Sequence, residues 1–182
     1  MKNKQIRAYK LVYLSFLIAL ATTLHIVENF LPSLSFIVPG AKLGLANLVT
    51  LVAILAYGWK CGFIVAVVRS CLGSFLSGTF LTTTFFLSFS GAVLSSLAMG
   101  WLNKWGKEKF SPMGISIVGA VVHNVSQLTV AGLIIQNGGI FFYLPYLLIF
   151  ALPTGYFTGI LAYLLTRYLT ANNFLKYNQQ EK

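Results

Sequence analysis

PGAKLGLANLVTL, residues 39–51, sets an amine and an amide, Lys42 and Asn47, at the start of a long apolar run. In water, a lysine ahead of such a run is an ordinary solvated helix end. In a bilayer both groups cost free energy, and each needs a partner or a purpose. The rest of the chain decides which solvent applies. Its 182 residues are 57% hydrophobic and only 9% charged, against about 25% charged in soluble domains. The mean hydropathy is +0.80. The solvent is lipid.

Working outward, the apolar segments fall at 11–31, 43–59, 61–81, 84–102, 113–135 and 140–168. Most are near the roughly 20 residues needed to cross a hydrocarbon core of about 30 Å. The pattern predicts an all-α polytopic membrane protein, a bundle of six transmembrane helices in a single domain over residues 1–182. No stretch is left for a soluble catalytic domain. The basic start MKNKQIRAYK has the look of a secretory leader, but the apolar run behind it is too long and lacks an obvious small-residue cleavage site, so it reads as a membrane helix.

A net charge of +10 would suggest nucleic acid in a soluble protein. Here the placement of charge matters more than its sum. With six spans, all the lysines and arginines outside the spans except Lys42 fall on the side that holds both termini. That is the positive-inside distribution, which predicts a multi-pass protein of the cell membrane with cytoplasmic termini, touching lipid headgroups and no nucleic acid. Cys61 and Cys71 stand ten residues apart with no CxxC, which reads as apolar filler. Small residues recur four apart, as Ser70 and Ser74, Gly91 and Ser95, Ser96 and Gly100, and Gly155 and Gly159. This spacing lets helix backbones approach closely inside the bundle.

Few polar groups lie in the spans. His25, Glu28 and Asn29 have the i, i+3, i+4 spacing of one helical face, and Glu28 is the only acidic residue in any span. It reads either as an interfacial carboxylate or as a substrate contact. Arg69 sits near the middle of the third span, where a partner such as Glu28 or an anionic ligand would offset its cost. His123, Asn124 and Gln127 share one side of the fifth span and must face a cavity or another helix. Lys42 and Asn47 fit either a snorkelling cation with a cap-like amide or the mouth of a pocket for an anionic or carbonyl group. The candidate substrate-binding set is therefore Glu28, Lys42, Asn47, Arg69, His123, Asn124 and Gln127. The 15% aromatic content would suit a flat or apolar ligand, and aromatic belts at the membrane surface account for it as well.

The chain has no aspartate. A prenyl diphosphate synthase needs aspartate clusters to hold Mg²⁺ on a diphosphate, so that chemistry is not expected of this chain alone. GxxxxGK[ST], HExxH and GxSxG are missing too. We expect no catalytic residues, no metal site, no cofactor and no enzyme activity.

KLGLANLVTL, Arg69, SFSGAVLSSLAMG and SIVGAVVHNVSQL, in that order, make the chain resemble the Gx transporter family, also labelled heptaprenyl diphosphate synthase component I. The likeness covers about residues 10–168. That family is similar in turn to the S components of energy-coupling-factor transporters. The resemblance implies a substrate-capture protein for a vitamin-like molecule or a quinone or isoprenoid precursor, energised by a separate membrane scaffold and two ATPase subunits. It also implies docking through an Ala-x-x-x-Ala contact on the first helix, for which the nearest match is Ser15-x-x-x-Ala19. Two other functions remain open. One is a proton-coupled secondary transporter using Glu28 or His25. The other is a non-catalytic membrane subunit associated with a prenyl diphosphate synthase.

Overall fold

The computed structural model describes residues 2–30, 44–106 and 109–171. Most of these residues are helical: α1 Lys2–Phe30, α2 Leu45–Tyr57, α3 Trp59–Leu76, α4 Thr83–Trp105, α5 Pro112–Ile135 and α6 Leu144–Ala171, with a 3₁₀ turn Gly138–Tyr143 ahead of α6. Lipid offers no hydrogen bonds to a backbone, so each crossing segment must satisfy its own. Five helices are long and apolar enough to span a membrane.

The second apolar segment, 43–59, forms a helix shorter than its run: α2 has 13 residues, about 20 Å at 1.5 Å per residue against a hydrocarbon core of about 30 Å. Two glycines at positive φ bound it, Gly44 at 78° and Gly58 at 89°. Two other boundaries also shift. α1 starts back at Lys2, taking in the basic segment, and the expected last span from 140 opens as a 3₁₀ turn until Leu144.

α2 is the central helix, touching α1, α3, α4 and α6. Its run Leu48–Ile54 is buried on every side, as an all-round apolar helix should be. Leu51 and Ile54 are fully enclosed and pack with Met99, Ile115 and Ala162 from α4, α5 and α6. Gly58, at φ 89°, turns the chain directly from α2 into α3. Such a left-handed position suits only glycine at low cost. At α5, Ser111 Oγ accepts the Gly114 N–H at 3.2 Å and Pro112 occupies the first turn, where its missing N–H leaves no gap.

The small-residue pairs lie inside. Ser70, Ser74, Ser95 and Ser96 are almost completely buried. A Cβ added at Gly159 would sit 2.6 Å from Met113 Cα, and one at Gly155 2.8 Å from Ile117 Cα, so α5 and α6 meet backbone to backbone. Cys61 and Cys71 are free thiols. Lysine and arginine positions cluster at the end of the bundle where α1 begins and α6 finishes: Lys10, Lys60, Lys104, Lys109 and Arg167. Lys60 and Lys104 lie over the rings of Trp59 and Trp105 there, at 5.8 and 5.4 Å. Among the described residues, Arg69 is the one cation elsewhere.

Candidate functional site: a polar cavity between the helices

The polar side chains of the spans meet. One cavity is lined by the last turns of α1, the first turn of α2 and the middles of α3, α5 and α6, with Ser88 from α4. Of its fourteen described lining residues, ten carry polar side chains, and the others are Gly44, Ala46, Ala120 and Gly155. No aromatic carbocycle lines it among the described residues. The described aromatic rings lie elsewhere, including a cluster of Phe75, Phe80, Phe85, Phe86 and Phe89 around the α3–α4 connection.

Arg69 is the eleventh residue of α3, about 15 Å along its axis. It is 2% exposed, a depth at which an arginine needs partners. The partners come from α2. Its Nε donates to Thr50 Oγ1 at 3.3 Å and its Nη2 to Asn47 Oδ1 at 2.9 Å. Neutral acceptors therefore orient the guanidinium and leave its charge uncancelled by either bond. Thr50 was not legible as a site residue, because mid-helix threonines commonly bond their own helix, as Thr50 also does to the Ala46 carbonyl.

Glu28 faces the same cavity and is buried. Its carboxylate accepts the backbone N–H of Gly44, at the N-terminus of α2. An anion there meets an unsatisfied donor and the positive end of the helix dipole. This ties α1 to α2 and gives Glu28 a backbone partner; the pairing with Arg69 considered from the sequence is electrostatic, Glu28 acting on the guanidinium across the shared cavity while their hydrogen bonds go to other groups.

On α5, Gln127 Nε2 lies 3.0 Å from His123 Nε2. The amide donates, so that imidazole nitrogen accepts, and a neutral ring then carries its proton on Nδ1. Gln127 is thus placed behind His123 and is not itself in the cavity wall. Asn124 lines the wall and donates from Nδ2 to the Leu147 carbonyl at 3.1 Å, tying α5 to α6. Ser116 and Thr158 close the α5–α6 side with a hydroxyl–hydroxyl bond of 2.8 Å.

Two glycines shape the site from outside it. A Cβ at Gly91 would stand 2.8 Å from His123 Cε1, and one at Gly73 2.4 Å from His25 Cδ2. Each glycine is the socket for one imidazole. In α6, Pro153 removes an N–H just before Thr154 and Gly155 of the wall. Thr154 Oγ1 bonds the Phe150 carbonyl at 2.8 Å.

The sequence-predicted residues thus divide. Glu28, Asn47, Arg69, His123 and Asn124 come together, joined by His25, Ser88, Ser116, Thr154 and Thr158. Gln127 stands one layer back, and Lys42 lies outside the described residues. Ser15 and Ala19, the docking candidates, are exposed on α1 beside Phe16 and Leu20. Among the described residues no group of three or more His, Cys, Asp or Glu is arranged to hold a metal ion. The space open to water-sized solutes is about 30 Å³, enough for only a few waters and far below the roughly 300 Å³ of a small-molecule site. The cavity is small.

Beyond this geometry, the chain has a recognisable family relationship. It matches the model of the heptaprenyl diphosphate synthase component I family over residues 17–165. The chain belongs to that family. No curated protein and no solved structure matched it. The matched region of this family member takes in every lining residue of the cavity, from His25 to Thr158.

Proposed function

We propose that this member of the heptaprenyl diphosphate synthase component I family is a non-catalytic solute-capture subunit, the S component of an energy-coupling-factor type importer. Its cavity faces the outside of the cell, both termini are cytoplasmic, and a separate membrane scaffold with two ATPase subunits supplies the energy. The observation that carries this reading is convergence. Ionisable and amide side chains from α1, α2, α3 and α5, expensive in lipid, meet at one cavity, and a membrane anchor has no need of one. The exposed stripe holding Ser15 and Ala19 supplies a face for the scaffold.

The test is affinity capture of the tagged chain from native membranes in mild detergent, with mass spectrometry of the recovered proteins. Two ATPases and a membrane scaffold are expected. Recovery of a prenyl diphosphate synthase instead would favour the reading suggested by the family's own description, a membrane subunit of that enzyme. A proton-coupled carrier is the other alternative, favoured by the presence of both His25 and Glu28 in the cavity wall. It requires uptake that collapses with the proton gradient and survives loss of any ATPase.

A further inference from the structure

The chemistry of the cavity wall restricts what it can capture, and this inference rests on the capture reading above. We propose that the cargo is a small polar solute bearing anionic oxygens, such as a carboxylate, together with a hydrogen-bond donor. A prenyl chain or a flat aromatic ring does not match this wall.

One part of the wall is rich in donors. Among the described residues, two hydrogen bonds engage the Arg69 guanidinium, which has five N–H groups. Asn47 spends its oxygen on Arg69, so its amide N–H groups are what it has left to offer. A buried guanidinium flanked by amide donors matches anionic oxygens, which it can take in a fork. Another part is rich in acceptors. Glu28 accepts from the Gly44 N–H, and a carboxylate with two oxygens has capacity for more. Asn124 spends its N–H on Leu147, which leaves its carbonyl oxygen. These groups match an ammonium, amine or hydroxyl on the same solute.

Among the described lining residues little is offered to an apolar body: the aliphatic side chains are Ala46 and Ala120, and there is no aromatic carbocycle for stacking. Burying a long hydrocarbon against ten polar side chains would strip them of partners without replacement. The small volume points the same way, because a compact solute needs the least displacement of the wall.

The experiment uses the full chain in phosphatidylcholine nanodiscs. These are dialysed to equilibrium against either the aqueous or the chloroform–methanol extract of the source cells, and bound solutes are identified by mass spectrometry against empty nanodiscs. Enrichment of a carboxylate-bearing solute from the aqueous extract, about tenfold or more, is expected. Arg69→Gln should reduce that enrichment about tenfold or more, the scale of one charge-assisted bond, while Leu133→Ala, at an exposed position of α5 outside the cavity wall, should leave it unchanged. The wild-type result decides the class even if Arg69→Gln fails to fold. A quinone or prenyl compound drawn from the organic extract, or an aqueous solute without anionic oxygens, overturns the class and leaves capture standing. Enrichment from neither extract overturns both.

Discussion

Replacing Gly159 by alanine tests how the cavity wall is built. The new Cβ would lie 2.6 Å from Met113 Cα, 3.2 Å from Met113 N and 3.1 Å from Ser116 Cβ. None of these atoms can rotate away, so α5 and α6 must separate by about 1 Å to restore ordinary contact. Overpacking of this kind costs about 1–3 kcal/mol. The separation also stretches the Ser116–Thr158 bond, now 2.8 Å, for about 1 kcal/mol more. A total of about 2–4 kcal/mol corresponds to a fall of roughly 5–15 °C in the unfolding midpoint for a chain of this size. The assay is thermal unfolding in detergent by intrinsic fluorescence. Gly138→Ala is the control, because its Cβ would meet nothing within 4 Å and should change stability by no more than about 0.5 kcal/mol. Thr158→Val separates the hydrogen bond from the steric term. A Gly159→Ala protein that melts with Gly138→Ala would refute backbone-to-backbone packing of α5 on α6.

Gly44→Ala should cost about 1–2 kcal/mol through its left-handed backbone alone, since its Cβ would find only Thr158 Cγ2 at 3.9 Å; the same melting assay checks it. Glu28→Gln removes the anion from the N-terminus of α2 and should lower stability by about 1 kcal/mol, whereas a carboxylate acting only on cargo would leave the solute-free protein unchanged. Ser15→Leu with Ala19→Leu should preserve the melting temperature, both positions being exposed, yet abolish recovery of the scaffold and ATPases in affinity capture. Equal recovery from wild type and double variant would place docking elsewhere.

The parts of this structure that follow from lipid as solvent were legible in the sequence. The helical class, the small-residue contacts and the gathering of charge at one end all follow from hydropathy and spacing. Arg69, His123 and Asn124 were legible as candidates for the cavity wall they line, because an amide or ionisable group in a span must be explained. Ser88, Ser116, Thr154 and Thr158 were not. Thr154 and Thr158 bond carbonyls of their own helix, as do Thr22 and Thr129 away from the cavity, so no local signal separates the two groups. The bounds of α2 were hidden because the apolar run 43–59 passes through both Gly44 and Gly58, whose positive φ angles bound the helix. Gly91 read as a packing glycine and Gly73 carried no signal, and only the assembled bundle presents an imidazole to each.

The most direct test of the central claim, that polar groups from separate helices form one solute site, is a cryo-electron microscopy map of the chain in nanodiscs, bound to a rigidifying antibody fragment, with and without the aqueous cell extract. The account predicts solute density against the Arg69 guanidinium, bounded by Asn47 and Asn124, in a cavity expanded beyond its present volume of about 30 Å³. Identical maps, with the cavity still small and holding only water, would contradict it.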